Sequence, residues 1–277
     1  MSITRLSGGL TPGDGADPRT FPAIWNATAD SVEGTQGTVA SQGSAIVALE
    51  GDVEDLQNGV IGGTAVYRFV DTVYFTSSGE FLKADYPWLR AIRVKCQAAG
   101  GGGGGAASDE STGGGGGGGG YTEKFFLVSA LGASETVTCG AGGSGSAPGD
   151  NAGSAGGDSS FGSLLVATGG GGGNSSEGAF VNNNGGGAST PGDLLIPGAG
   201  GSGRSGGGSS PSGFAAGGSS FLGIAPPGRP LAASLNGTDV TAVGFGPGGA
   251  AGRRGPSGTN RPGAPGRDGI VIVELFA

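Results

Sequence analysis

The chain contains no histidine, so it can build neither a Ser–His–Asp nor a Cys–His nucleophile system. What remains is the chemistry of carboxylates and thiols. Paired carboxylates can cleave a glycosidic bond. The chain offers the adjacent Asp109-Glu110 and the isolated Asp150, Asp158, Glu177 and Asp193. All of these lie in Gly/Ser-rich stretches, where solubilising charge is the simpler reading, so no catalytic residue is assigned and no enzyme is expected. Cys96 and Cys139 are the only cysteines. Both fall on inward positions of candidate strands and read as small buried apolar side chains rather than as a disulfide. Two Cys without His cannot form an ordinary zinc site, and no metal or cofactor is expected. The glycine runs share only composition with phosphate loops, because no Gly-x-x-x-x-Gly-Lys-Ser/Thr pattern is present. The net charge of -8 argues against a nucleic-acid partner.

The elements that would position any site are dominated by glycine, which supplies 69 of 277 residues. Twelve glycines precede residue 99 and 57 follow. That is collagen-level glycine without a sustained collagen period. A segment so poor in side chains either stays disordered or packs backbone against backbone.

Ahead of it runs an a/d repeat of alternating three- and four-residue steps. Trp25, Val32, Val39, Ile46, Val53 and Val60 fall at a; Thr28, Thr35, Gln42, Leu49 and Leu56 fall at d. Five heptads of this kind predict a coiled-coil stalk over 25–61. The alternative is one amphipathic helix packed on a globular domain. Gly34, Gly37, Gly43 and Gly51 each weaken a helix by about 1 kcal/mol relative to Ala, and the seam alone leaves the strand number open.

Strands are predicted at both ends of the glycine-rich part. Leu89 to Gln97 alternates Ile92, Val94 and Cys96 with Arg93, Lys95 and Gln97, the period of a strand with one buried face. Ile270 to Phe276 is apolar on both faces and reads as a central strand. Tyr67–Thr76, Phe125–Val128, Thr136–Cys139 and Phe161–Val166 are weaker candidates. The expected fold is therefore mainly β and irregular, in four parts. Residues 1–24 form an arm carrying Phe21, Pro22 and Ile24 as apolar anchors, with a frayed terminus as the alternative. Residues 25–61 form the stalk, 62–98 a small β unit, and 99–277 the glycine-rich domain. Met1 to Arg5 lacks an apolar signal region, which points to synthesis in a cytoplasm.

Left-handed helices with three residues per turn have no internal hydrogen bonds. Glycine lets several of them pack side by side and bond to one another. The expected core of 99–277 is a bundle of such helices held by the strands. The loops between runs are expected to project together and to carry recognition. Asp109, Asn174, Phe180, Arg204, Phe214 and Arg229 are the candidate contact residues, with Ala106–Thr112, Asn174–Asn184, Arg204–Phe214 and Ile224–Pro230 as the loops.

Tyr74-Phe75-Thr76-Ser77-Ser78-Gly79-Glu80-Phe81, Leu89-Arg90-Ala91-Ile92-Arg93-Val94, Gly120-Tyr121-Thr122-Glu123-Lys124, Ser160-Phe161-Gly162-Ser163-Leu164-Leu165 and Gly269-Ile270-Val271-Ile272-Val273-Glu274 keep an order along the chain. That order resembles the glycine-rich domain found at the ends of bacteriophage tail fibres. The resemblance spans about residues 74–277. It implies a homotrimeric virion fibre with a receptor-binding distal domain, in the tail fibre or tail tip. Its arm would join other tail or baseplate proteins, and its partner would be a host surface polysaccharide or outer-membrane protein. A capsid-attached head fibre or decoration spike with a structural role is the alternative. The short shaft departs from the usual long fibre.

Overall fold

The computed structural model describes residues 31–47, 50, 60–61, 64–107, 111–175, 187, 189–190, 192–202, 216–225, 242–254 and 259–277. They belong to two units, Met1–Val66 and Tyr67–Ala277.

In the first unit residues 31–47 are helical. The a-position side chains Val32, Val39 and Ile46 are exposed in the single chain. Thr35 Oγ1 donates to the Ser31 carbonyl at 2.8 Å and Thr38 Oγ1 to that of Gly34 at 3.0 Å. Each hydroxyl is thus satisfied by the preceding turn. Val60, expected in the stalk, instead lies in a two-residue strand. β1 (Val60–Ile61) pairs antiparallel with β2 (Thr64–Ala65), Ile61 opposite Thr64. Two β-branched residues followed by Gly62-Gly63 are a hairpin sequence, and this local preference overrides the heptad spacing. Trp25, Leu49, Val53 and Leu56 lie outside the described residues, as do Phe21, Pro22 and Ile24.

The second unit has a base of two five-stranded antiparallel sheets. The first sheet contains β3 (Phe69–Phe75), β5 (Ala91–Gln97), β6 (Tyr121–Leu127), β11 (Leu194–Ile196) and β14 (Ile270–Phe276), in the order β11-β6-β5-β14-β3. The second contains β4 (Gly79–Leu82), β7 (Ser134–Thr138), β8 (Ser159–Phe161), β9 (Leu165–Ala167) and β10 (Ser189–Thr190), in the order β10-β9-β8-β7-β4. Alternation along β14 sends Val271, Val273 and Leu275 inward, where all are fully buried. They meet Ile92, Val94 and Cys96 on one side and Phe81, Val137, Phe161 and Leu165 from the opposite sheet. The run apolar on both faces is thus central, with Val273 opposite both Val73 and Val94. The expected strand Phe161–Val166 is broken by Gly162 at φ +53°. A turn there, in which Leu164 N–H donates to the Phe161 carbonyl at 3.1 Å, joins β8 to β9. Cys96 and Cys139 are both free thiols; Cys96 is buried, and burial, with Cys139 nearby, pushes its pKa up.

Above this base the backbone runs as nine extended rods among the described residues, numbered in chain order at 98–106 (1), 113–120 (2), 140–146 (3), 151–158 (4), 168–174 (5), 197–202 (7), 216–220 (8), 246–253 (9) and 261–269 (10), with the lone described Gly187 given the number 6. They lie almost wholly outside regular strands. Rod 1 shows how they are held. Ala99, Gly102 and Gly105 donate to the carbonyls of Gly157, Ser154 and Asn151 in rod 4, at 3.1, 2.8 and 2.9 Å. Gly100, Gly103 and Ala106 donate to Arg267, Ala264 and Arg261 in rod 10, and Gly101 and Gly104 to Gly117 and Gly114 in rod 2. Bonds to a given neighbour recur every third residue, so the chain turns its donors through three directions in sequence. Rod 1 also accepts from three rods. Gly143 and Ser146 of rod 3 reach Gly100 and Gly103, Gly170 and Gly173 of rod 5 reach Ala99 and Gly102, and Gly249 and Gly252 of rod 9 reach Gly101 and Gly104. Rod 1 is enclosed by six neighbours.

Rod 2 is enclosed likewise. Its donors go to rods 5, 7 and 9, and its carbonyls accept from rods 1, 6 and 8. Six neighbours leave no direction in which a side chain fits at 100–105 and 113–120, the longest glycine runs of the chain. A Cβ added at Gly101 would lie 2.0 Å from the Gly171 carbonyl oxygen, and one at Gly116 2.1 Å from that of Gly101. Outer rods have an open side, and there Ala, Ser and Pro return. In rod 3, exposed Ala141 and Ser144 alternate with buried Gly143 and Ser146 at a spacing of three.

Candidate functional site: the loop end of the glycine bundle

Register fixes direction. The bonds of rod 1 to rods 2, 4 and 10 run antiparallel, and those from rods 3, 5 and 9 run parallel. Successive rods therefore alternate away from the base and back. β6 and β7 join rods 2 and 3 at the base, β8 and β9 join rods 4 and 5, β10 and β11 join rods 6 and 7, and β12 (Gly223–Ile224) and β13 (Val243–Gly244) join rods 8 and 9. Four of the remaining connections, at 107–112, 147–150, 203–215 and 254–260, leave and re-enter at the opposite end; a fifth leaves there after Asn174, and the chain is next described at Gly187, beside the base.

The loop ends that are described are tied down. Ser146 Oγ accepts from Gly263 N–H at 3.1 Å, and Asn151 Nδ2 donates to the Pro148 carbonyl at 3.2 Å. Gly149, between them, has φ +113°, a conformation that favours glycine. Arg254 N–H donates to the Ser111 carbonyl at 3.0 Å. The Arg254 guanidinium donates to the Ala107 carbonyl, and at 3.0 Å to Asn260 Oδ1. Ala106, Ser111 and Thr112 are buried, although the sequence reads Ala106–Thr112 as a loop. Arg253 is buried beside Thr112, and Arg261 pairs with Ala106. Three arginines thus gather at this end, and they are absent from the sequence-based candidates. The legible signal was Arg253-Arg254 next to glycine in an acidic chain.

Of the candidate contact residues, Asn174 ends rod 5, its carbonyl accepting from Gly114 N–H at 2.8 Å. Asp109, Phe180, Arg204, Phe214 and Arg229 lie outside the described residues. The chain enters the segment holding Arg229 from Ala225 and returns at Ala242. Both ends are at the base, because Ile224 pairs with Val243 and Gly246 follows in the first turn of rod 9. Ile224, expected at the loop end, is at the base.

Two carboxylates read as solubilising, Asp158 and Asp193, have positioning roles, and so has Asp268. Asp158 Oδ1 accepts from Gly169 N–H at 2.8 Å and Asp268 Oδ1 from Gly142 N–H at 2.7 Å, each capping the base end of a rod. Asp193 Oδ2 accepts from Phe125 N–H at 3.0 Å. Gln97, expected on a polar face, is fully buried. Its amide nitrogen faces the carbonyls of Ala98, Gly119 and Gly120 at 3.1, 3.0 and 3.1 Å, and its Oε1 accepts from Leu222 N–H at 3.2 Å. It fastens rods 1 and 2 where they leave the sheet. Among the described residues no group of three or more His, Cys, Asp or Glu could hold a metal ion.

No curated protein matches the chain. A family does, from just after β3 to the last residue of β14: the chain belongs to the glycine-rich domain family, which matches residues 76–276.

Proposed function

We propose that the protein is a short fibre or spike of a bacteriophage particle that attaches to a host surface through the loop end of its glycine bundle. The observation that carries this reading is the gathering of four connections, at 107–112, 147–150, 203–215 and 254–260, at one end of a bundle whose rods are fixed by backbone bonds. Sequence can change there without disturbing the packed part, which suits recognition. The rods are read as polyglycine II helices. Three residues per turn, no bonds within a rod and closest packing of glycine are that helix's properties. The exposed Val32, Val39 and Ile46 support reading the helix as one strand of a parallel three-chain coiled coil. Residues 1–24, with Phe21, Pro22 and Ile24, would join tail or baseplate proteins, and the receptor would be a surface polysaccharide or outer-membrane protein.

The test is to replace the four loop-end connections and the segment 176–186, singly and together, with Gly-Ser segments of equal length. Particles should still incorporate the protein and lose adsorption to cells. Normal adsorption of the fully replaced particles would leave a structural spike as the better reading.

A further inference from the structure

The outer face of the first sheet is apolar and open. Phe69, Tyr74, Leu127 and Leu194 are 55%, 64%, 46% and 41% exposed. Phe276 and Phe125 lie between them and are half-buried. Their rings meet edge to face, Phe69 with Phe276 at 5.9 Å and Phe276 with Phe125 at 5.6 Å between centroids. The register puts these residues on one face. Phe276 is opposite Phe69, Ile272 opposite Tyr74, Arg93 opposite Phe125, and Glu123 opposite Leu194. A contiguous apolar patch of this kind marks an interaction site.

We propose that this face packs against the same face of further copies of the chain, closing the base of the assembly around its axis. The proposal rests on the multi-chain reading above, and three observations select copies of this chain as the occupant. First, the charged groups on the face cancel. Arg93 and Lys95 stand against Glu123 and Glu274, and Glu274 is within reach of both cations, at 3.7 Å from Arg93 Nη1 and in direct contact with Lys95 Nζ. Identical surfaces carrying net charge repel one another; this one carries none in a chain of net charge -8. Second, the chain enters the unit on this face. Tyr67 is its first residue, and its ring meets that of Phe125 edge to face at 5.4 Å. Chains held together ahead of Tyr67 therefore bring these faces to high local concentration. Third, the segment ahead of it carries a separate exposed apolar row, Val32, Val39 and Ile46, whose heptad spacing is met by copies of itself.

The experiment uses the full chain with p-benzoylphenylalanine in place of Tyr74, and in a second protein in place of Leu82. Leu82 is 40% exposed and lies on the outer face of the opposite sheet. Light scattering is run first. A mass of one chain overturns the multi-chain reading, and this proposal with it. With a multi-chain mass established, irradiation should give covalently joined chains on a denaturing gel for position 74 and none for position 82. A multi-chain particle with no joined chains at position 74 overturns the proposal and leaves the stalk reading standing. So does equal joining at both positions. Irradiated virions in which position 74 joins a different protein overturn it as well. As a second measurement, Phe69→Arg with Tyr74→Arg should abolish the joining seen from a probe at Leu127 while leaving the mass unchanged.

Discussion

The base and the bundle of the second unit solve the same problem with opposite materials. In the base, Phe81, Phe161, Leu165 and Leu275 fill the space between two sheets, and stability comes from apolar area removed from water. In the bundle the space between rods is filled by peptide groups, and the stabilising feature is that every donor of rods 1 and 2 finds a carbonyl on a neighbour. Glycine loses more conformational freedom on folding than any other residue. Such a bundle therefore depends on a conventional core to fix the base end of its rods. The capping groups Asp158, Asp268, Ser159 and Gln97 sit at that seam.

The contrast breaks most sharply at neighbouring residues of rod 3. A Cβ at Gly143 would lie 2.2 Å from the Ser154 carbonyl oxygen, whereas the Ser144 side chain is exposed. Gly143→Val should cost more than about 4 kcal/mol, or prevent folding, while Ser144→Val stays within about 0.5 kcal/mol. Denaturant unfolding followed by circular dichroism measures both. The conventional core gives the matched comparison. Phe161 is fully buried between the sheets, and Phe161→Ala should cost about 3–5 kcal/mol in the same assay. If the bundle depends on the base, amide exchange in rods 4 and 5 should quicken in this variant.

A smaller effect tests the seam. Gln97→Leu keeps the volume but leaves the carbonyls of Gly119 and Gly120 without their side-chain donor, which should cost about 1–3 kcal/mol. The smallest effect has the opposite sign. Nothing lies within 4 Å of a Cβ built on Gly34 or Gly37. Gly34→Ala and Gly37→Ala should each stabilise the helix by about 1 kcal/mol, raising its melting temperature without moving the transition of the second unit.

Much of the base was legible, because side chains write their periodicity into the sequence. Val271, Val273 and Leu275 in an apolar run announce a central strand, and Ile92, Val94 and Cys96 announce a one-sided one. Gln97 was not legible. Alternation puts it on the polar face, and distant segments around Gly119, Leu222 and Gly246 enclose it. In the bundle, glycine content registers how many neighbours a rod has, so rods 1 and 2 stand out and the others fade. Gly263, Gly266 and Gly269 look like a collagen fragment, yet a Cβ on the first two would strike the carbonyls of Gly103 and Gly100. Their spacing is the turn of rod 10 against rod 1. Ser-Ser-Phe occurs at both Phe161 and Phe221, each time where a rod returns to the base. Phe161 is fully buried there, and the Phe221 ring meets that of Tyr121 at a tilt, 4.4 Å between centroids. At the loop end, contacts depend on which turns meet, and no local pattern encodes that.

The up-and-down path of the rods sets a parity rule. The chain leaves the base from β5 and comes home on β14, the strand beside it, so the number of rods between them must be even. A gene enlarging this domain can add rods only two at a time, and each pair brings one new turn at the far end. Within a rod, an insertion of one residue would swing every later peptide a third of a turn onto the wrong neighbour. An insertion of three would slide the rod by one step and keep its partners. Lineages of such proteins should therefore differ by free-length changes at the far end, by triplets within rods and by whole hairpins between them.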